Sequence, residues 1–263
     1  MIKAPDMKYI GKAVVVFAAI AVLTACSSAP VKQDNLVPAK RPVSEIVKED
    51  VVYAVDAYDP WEGFNRHMYK FNAKFDRYIF LPVVNAYETV TPDLVEDGVS
   101  NFFLNLNEVT NLTNSILQLK GQSTVSTIGR ILINTTIGIG GIIDVATPMG
   151  IYRQDEDFGQ TLGSYGLGPG PYLVLPIFGP SNLRDTAGLV TDSIVYSWIT
   201  GEIYDELDME DDDEDTVKAV LGLLKAVDKR HRVKFRYYET GSPFEYEWVR
   251  MIYLEKRKMD IDK

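Results

Sequence analysis

The chain has 263 residues, of which 46% are hydrophobic and 24% are charged, and its formal net charge is −10. This acidic balance argues strongly against a nucleic-acid partner, because such binding depends on Lys and Arg side chains that neutralise phosphates. A single cysteine leaves no internal disulfide, so the fold must be held together by its core.

The N-terminus has the layout of a secretory signal peptide, which we predict to end at residue 25. A basic start is followed by an apolar run over residues 13–23. That run is shorter than the roughly 20 residues that span a bilayer. The string LTAC that ends at Cys26 resembles the lipobox of bacterial lipoproteins, in which the cysteine receives a diacylglycerol and an acyl group. An ordinary signal peptide with an incidental cysteine is the alternative. The lipid on Cys26 is the only covalent group that we predict, and we predict no cofactor.

The remaining chain divides by composition into four parts. Residues 26–58 are rich in Pro, Ser, Lys and Glu, which is typical of a flexible tether. Residues 59–200 carry helical periodicity and are predicted to form the main domain. Residues 201–215 form an acidic run that lacks the pattern of a calcium loop, and a self-repelling linker is the preferred interpretation. Residues 216–263 are predicted to form the C-terminal helices.

The first predicted helix has an aromatic face opposite a basic face. Asp59 is the predicted N-cap, with Pro60 at the first helical position and Glu62 completing a capping box. The apolar residues then recur every three or four positions. Two interpretations are open, since such a face packs in a core or lies among lipid headgroups. In the second case the membrane-interface residues are Trp61, Phe64, Met68, Phe71 and Phe75.

Further helices follow in chain order. The second begins at about residue 92 and is predicted to turn four apolar residues inward: Val95, Val99, Phe102 and Leu106. A third ends near Gly121, which suits the C′ position, and a fourth covers about 123–134. Ser181 is the predicted N-cap of a helix with one apolar face that includes Leu183, Val190, Ile194 and Trp198. Long helices are also expected over 215–238 and after a capping box at 242–245. Because strand signals are almost absent, the predicted fold class is all-α.

Two segments break the helical pattern. Residues 138–143 are glycine-rich and apolar, but Ile143 occupies the third glycine of a dinucleotide fingerprint, so a tight turn between helices is favoured. Residues 159–180 mix Gly and Pro with apolar side chains, which prevents a regular helix. Because exposed apolar surface is unfavourable, this second segment must be buried in protein or face lipid.

Catalytic motifs are not evident. Residues 163–166 depart from the G-x-S-x-G nucleophile elbow, and neither His67 nor His231 has the spacing of a metal site. We therefore predict that the protein is not an enzyme and binds no metal. A basic patch is either a solvated helix face or a contact with anionic headgroups, and it consists of residues 234–236 with Lys225, Lys229, Arg230 and Arg232.

Four long strings carry a resemblance to a known family. They are DPWEGFNRHMYKFN from residue 59, GVSNFFLNLNEVTNLTNSILQ from 98, RILINTTIGIGGIIDVA from 130, and FGQTLGSYGLGPGPYLVLPIFGPSNLRDTAG from 158. Together they closely resemble the MlaA/VacJ family of outer-membrane lipoproteins. The resemblance covers most of residues 59–198 and is weaker after 201.

The resemblance implies a helical ring or horseshoe in the periplasmic leaflet of the outer membrane, with a central channel for phospholipids. Implied partners are phospholipid, the outer membrane, a trimeric porin, and a periplasmic lipid carrier that feeds an inner-membrane ABC transporter. The implied function is the removal of mislocalised phospholipid from the outer leaflet. We predict that a Gly/Pro-rich hairpin loop and the glycine run line or gate the channel, through Gly138, Gly140, Gly141, Phe158, Leu162, Tyr165, Tyr172, Leu173, Val174, Leu175, Ile177 and Phe178.

Two other classes of function remain open. The first is a membrane-associated phospholipase, which would need an activated serine. The second is a structural lipoprotein that tethers porins without moving lipid.

Overall fold

A computed structural model describes residues 57–205 and 211–263. The predicted signal peptide, Cys26 and nearly all of the predicted tether lie outside the described residues. Helices extend into the acidic run from both sides. The helix on its N-terminal side ends at Asp205, and the helix on its C-terminal side begins at Asp211. Most of the predicted linker is therefore helical.

The described chain is mostly helical, which confirms the all-α prediction. In chain order the elements are α1 (Glu62–Phe75), a π-helical turn (Asp76–Phe80), α2 (Leu81–Val90), α3 (Asp93–Leu117), α4 (Gly121–Thr136), a 3₁₀ turn (Thr147–Met149), α5 (Phe158–Ser164), β1 (Tyr172–Leu175), β2 (Gly179–Asn182), α6 (Leu183–Asp205), α7 (Asp211–His231) and α8 (Glu245–Asp262). The two short strands form an antiparallel hairpin in which Tyr172 pairs with Asn182. This hairpin lies in the Gly/Pro-rich segment, but α5 shows that the predicted absence of regular helix there is wrong.

The predicted capping box at the start of α1 does not form. The N-cap of α1 is Trp61, whose side chain makes no capping bond. Asp59 instead accepts hydrogen bonds from Asn65 Nδ2 at 2.7 Å and from Arg250 Nη1 at 2.9 Å. Its carboxylate therefore joins the start of the domain to α8, because a buried guanidinium attracts a carboxylate more strongly than an amide N–H does.

One 25-residue helix, α3, replaces the predicted second and third helices. It ends in a Schellman motif, in which Lys120 N donates to Ser115 O at 3.0 Å and Leu119 N donates to Ile116 O at 3.0 Å. Leu119 takes the left-handed C′ conformation with φ of 57°. Gly121, predicted for that position, opens α4 instead.

Two more predicted caps are also replaced. Ser181 belongs to β2, and Asn182 Oδ1 caps α6 by accepting from Asp185 N at 2.8 Å. At α8, Glu245 does not return to Ser242, because its carboxylate accepts from Tyr238 N at 2.6 Å and from Tyr69 Oη at 2.7 Å. At α6 the neighbouring residue is therefore the cap, and at α8 the predicted capping carboxylate bonds to other partners.

The helices pack in a chain of neighbours. Helix α3 lies against α4, α5, α6 and α7, and α8 lies against α5 and β2. Helices α5 and α6 cross closely, since a Cβ on Gly188 would lie 2.3 Å from Gly159 N. Glycine at position 188 is therefore required for this approach. In the described ranges, no helix has the length and apolar character that crossing a bilayer requires.

Candidate functional site

The described part of the chain buries polar side chains and exposes apolar ones. Among these residues, 23 polar or charged side chains are buried, against seven apolar side chains. Water-soluble proteins show the reverse preference. An extended apolar exterior marks contact with a membrane or another protein. The candidate site therefore comprises the exposed apolar surface and the buried polar side chains beneath it.

The apolar face of α6 points outward. Leu183, Val190, Ile194 and Trp198 share one side of the helix, as the sequence predicts, and expose 52%, 56%, 64% and 68% of their surface. This face continues over two-thirds of the helix, from its first residue to position 198. An exposed apolar strip of this length is typical of a helix face that contacts an apolar medium.

The polar face of α3 is the buried one, so the prediction that its apolar residues point inward is wrong. Val95 is exposed and the other three predicted residues are only half-buried. The interior positions hold Glu96, Ser100 and Glu108. Ser100 donates to Asp228 of α7, and Glu108 pairs with Arg130 of α4. Helix periodicity separates two faces, and polar partners on other helices decide which face is inside.

Helix α1 shows the same inversion. Of its predicted membrane-interface residues, Trp61, Phe64 and Phe71 are exposed, and Met68 and Phe75 are half-buried. A separate stripe is buried, made of Asn65, Tyr69, Asn72 and the following Asp76. The aromatic face is therefore free for an apolar medium, while its role at a membrane stays a prediction.

A buried ion-pair network joins α3 to α4. Arg130 Nε donates to Glu108 Oε1 at 2.7 Å, and Arg130 Nη1 donates to Ile151 O at 2.7 Å. Glu108 is fully buried and Arg130 nearly so. Desolvation acts to lower the pKa of Arg130, but the hydrogen bond and charge of Glu108 outweigh it and raise the pKa. Asp144 completes the network, and hydrogen bonds from Thr147 overcome desolvation to lower its pKa.

A second network fastens α8 to the start of α5 and α6. Arg257 donates to Asp157 Oδ2 at 2.6 Å and to Asp185 Oδ2 at 2.8 Å. Asp157 is also the N-cap of α5, where it accepts from Gln160 N at 2.8 Å. Desolvation would raise the pKa of both aspartates, but the hydrogen bonds and charge of Arg257 outweigh it and lower both values. Tyr253 adds a 2.7 Å bond to Asp185.

Two asparagines of α1 hold the hairpin, and sequence reasoning missed both. Asn65 Nδ2 donates to Tyr172 O at 3.0 Å, and its Oδ1 accepts from Val174 N at 2.8 Å. Asn72 repeats this pattern two helical turns later, with Leu175 O at 2.8 Å and Ile177 N at 2.7 Å. The two amides therefore pair with the edge of β1 as another strand would. The sequence signal was the seven-residue spacing of two polar residues beside an apolar face.

Behind this edge lies a cluster of tyrosine rings. Tyr69 contacts Tyr237 and Tyr246 edge-to-face, with ring centroids 4.9 and 5.7 Å apart. Tyr172 and Val174 are fully buried in this cluster. They have no free surface in this structure, so their burial does not support the predicted lining role. Burial and nearby carboxylates raise the pKa of Tyr237 to about 12, which keeps its hydroxyl neutral.

The other predicted gate residues have surface to offer. Leu173 and Leu175 lie on the opposite face of β1 and are half-buried, as are Phe158 and Leu162. The hairpin turn exposes Ile177 and Phe178, and Tyr165 is exposed while its hydroxyl donates to Leu117 O at 2.6 Å. Ile177 has a φ of 69°, which strains a β-branched residue. A lining or gating role for these residues stays a prediction.

The glycine run closes α4 with a series of tight turns. A Cβ on Gly138 would lie 2.2 Å from Ile143 O, and one on Gly141 would lie 2.5 Å from the Asn105 side chain. Gly140 has open space around it, but its φ of 68° favours glycine. Two of the three predicted glycines are therefore needed for close packing, and Gly140 for its backbone conformation.

A cavity of about 440 Å³ lies elsewhere, between α4 and the 3₁₀ turn. Its lining is Gln122, Val125, Ser126, Gly129, Gly150 and Ile151. None of these belongs to the predicted gate.

The two histidines lie apart. His67 is exposed on α1, whereas His231 Nδ1 lies 2.7 Å from Glu88 Oε1. Within residues 57–205 and 211–263, no group of three or more His, Cys, Asp or Glu side chains has the arrangement of a metal site.

The model of one protein family, described as MlaA lipoprotein, matches residues 57–260, which is nearly all of the described chain. The chain belongs to the MlaA lipoprotein family. A protein of Rickettsia bellii is 38% identical to it over 210 residues, covering 78% of each chain.

A relative with a described role comes from Escherichia coli K12, the intermembrane phospholipid transport system lipoprotein MlaA. It is 42% identical over 148 residues, covering 54% of this chain and 59% of that protein. A Rickettsia prowazekii protein is 42% identical over 144 residues and is covered over 56% of its length. The chain thus spans little more than half the length of these curated relatives.

The fold is similar to a structure solved in a study of the structural basis for maintenance of bacterial outer membrane lipid asymmetry. The TM-score is 0.63 with 30% sequence identity, and the match covers 78% of this chain and 100% of that chain.

Proposed function

We propose that this protein is an outer-membrane lipoprotein that moves phospholipid from the outer membrane to the periplasm. The observation that carries the proposal is the apolar exterior and polar interior of a chain whose described helices do not span a bilayer. Support comes from the family and from the E. coli relative, which is named for intermembrane phospholipid transport.

The energetics of lipid transfer explain why such a protein is needed. Transfer of a phospholipid with about 30 tail methylenes into water costs on the order of 20 kcal/mol of free energy, at about 0.8 kcal/mol per methylene. Transfer of its polar headgroup into hydrocarbon is also unfavourable, because polar and charged groups lose their hydration there. A protein with apolar and polar surfaces side by side relieves both costs, so spontaneous transfer is replaced by transfer along the protein.

The proposed arrangement places the apolar faces of α1 and α6 in the periplasmic leaflet. The lipid on Cys26 adds an anchor, since stable membrane attachment takes more than one acyl chain. The helices would surround a passage in a ring or horseshoe, gated by the hairpin residues Leu173, Leu175, Ile177 and Phe178. A trimeric porin and a periplasmic lipid carrier complete the proposed route, and no chemical step on the lipid is involved.

The decisive experiment is lipid transfer in a reconstituted system. Vesicles containing the full-length lipidated protein are loaded with fluorescent phospholipid, and transfer to a periplasmic carrier is timed. We expect transfer well above that of protein-free vesicles. Equal rates with and without the protein would refute the proposal and leave the porin-tethering alternative.

Two variants locate the route. Leu173→Asp should slow transfer at normal protein abundance if the hairpin lines the passage. Thr89→Asp, at an exposed position on α2, is the control and should leave transfer unchanged. Ile194→Asp should weaken membrane association by placing a charge in the apolar face of α6. Release of free fatty acid from labelled phospholipid in the same mixtures would instead support the phospholipase alternative.

A further inference from the structure

The basic residues near the end of α7 differ in whether they form ion pairs. Arg230 donates to Asp76 Oδ2 at 2.8 Å, and Arg232 lies 2.8 Å from Asp228 Oδ2. Lys225 and Lys229 differ, because no carboxylate among the described residues forms an ion pair with either ammonium group. The two arginines are therefore used to hold α7 in place, and the two lysines are not.

Aromatic rings from two other elements flank these lysines. Lys225 Nζ lies 3.0 Å from the centroid of the Tyr196 ring on α6, and Lys229 Nζ lies 5.8 Å from that of Phe178 in the hairpin turn. The lysines are four residues apart, so they share one face of α7. Three elements thus converge around two positive charges: α6, α7 and the hairpin that carries the predicted gate.

The two lysine charges repel each other when no anion is bound. Burial, together with the smaller effect of the charges of Lys229 and Arg232, lowers the pKa of Lys225 to about 8. Desolvation also lowers the pKa of Lys229, although this residue is exposed. Lys225 is half-buried and Lys229 is exposed, so an anion can reach both ammonium groups from solvent, and its binding would relieve their mutual repulsion.

We propose that Lys225 and Lys229 together bind the phosphate of a phospholipid headgroup, while Tyr196 and Phe178 contact the apolar part of the same lipid. The inference rests on the proposed function and assigns its headgroup site. Phosphate oxygens accept charge-assisted hydrogen bonds from ammonium groups. Phe178 is 64% exposed, and an exposed ring beside a phosphate site favours a lipid over a free phosphate ion.

Binding of three soluble probes to the full-length protein tests the site. The probes are a short-chain phosphatidylglycerol, the diacylglycerol of the same chain length, and inorganic phosphate. Lys225→Gln/Lys229→Gln should lose about 10-fold or more in affinity for the phosphatidylglycerol and nothing for the diacylglycerol. Inorganic phosphate that binds as tightly as the lipid would overturn the lipid assignment.

Matched variants separate charge from folding. Lys225→Arg/Lys229→Arg should retain binding because it keeps both charges. Lys70→Gln/Lys74→Gln removes two exposed lysines with the same four-residue spacing on α1 and should bind as the wild type does. An affinity of Lys225→Gln/Lys229→Gln within twofold of the wild type would overturn the inference.

The transfer assay keeps the two proposals apart. Failure of the wild-type protein to move lipid refutes the proposed function. Transfer by the wild type together with an equal rate for Lys225→Gln/Lys229→Gln refutes only the headgroup site.

Discussion

Removing Arg130 should destabilise the protein more than the loss of any exposed charge. Arg130→Met deletes hydrogen bonds to Glu108, Thr147 and Ile151 O, at 2.7, 2.9 and 2.7 Å. It leaves the carboxylate of Glu108 fully buried, with Asn111 Nδ2 at 2.8 Å and the more distant Arg153 Nη1 at 3.9 Å as its remaining partners. Breaking a buried pair on one side costs about 3–5 kcal/mol. At about 2–4 °C per kcal/mol for a chain of this size, the thermal midpoint should fall by about 6–20 °C.

The assay is thermal unfolding of the detergent-solubilised protein, followed by far-ultraviolet circular dichroism. Lys256→Met is the control, because it removes an exposed pair with Asp260 that is worth only about 0.3–0.5 kcal/mol. Glu108→Met/Arg130→Met should recover part of the loss, since replacing both partners also removes the buried carboxylate that has lost its closest cation. A loss below about 1 kcal/mol in Arg130→Met would refute the view that buried polar pairs hold these helices together.

Three further predictions concern other contacts. Gly188→Ala should cost about 1–3 kcal/mol, because its Cβ would meet backbone atoms of α5, whereas Gly222→Ala has open space and should gain up to about 1 kcal/mol in the same melts. Asn65→Leu should cost about 2–6 kcal/mol by leaving two backbone groups of β1 without partners, and exposed Asn85→Leu should change little; equal melts would contradict this. The lowered pKa values of the two aspartates that bind Arg257 stabilise the fold above their ordinary pKa near 4, and that stability is lost as the pH falls through their folded values. Arg257→Gln should therefore flatten the fall in thermal midpoint between about pH 5 and 3, and an unchanged slope would contradict it.

Helices could be predicted from the sequence because periodicity depends on neighbours three and four residues away. Which face of each helix is buried could not be predicted, since an apolar face that packs in a core has the same periodicity as one that contacts lipid. Val95 shows this limit, because it has the expected spacing and is exposed.

The predictions of helix-capping residues were wrong for a different reason. Asp59 has the local pattern of an N-cap, but its partner Arg250 lies 191 residues away in the sequence. The asparagine contacts with the hairpin also join residues more than 100 positions apart. Of the candidate site, the aromatic face of α1 and the glycine turn follow from local sequence, whereas the two lysines of α7 could be separated from their neighbouring arginines only once ion-pair partners were known.

The burial of polar rather than apolar side chains has a consequence for calorimetry. Hydration of newly exposed apolar surface raises the heat capacity on unfolding, and hydration of polar surface lowers it. This protein already presents many large apolar groups when folded and would release mainly amide, carboxylate and guanidinium groups. Its heat-capacity increment per residue should therefore fall below that of water-soluble domains, and its enthalpy of unfolding should vary little between cold and warm conditions.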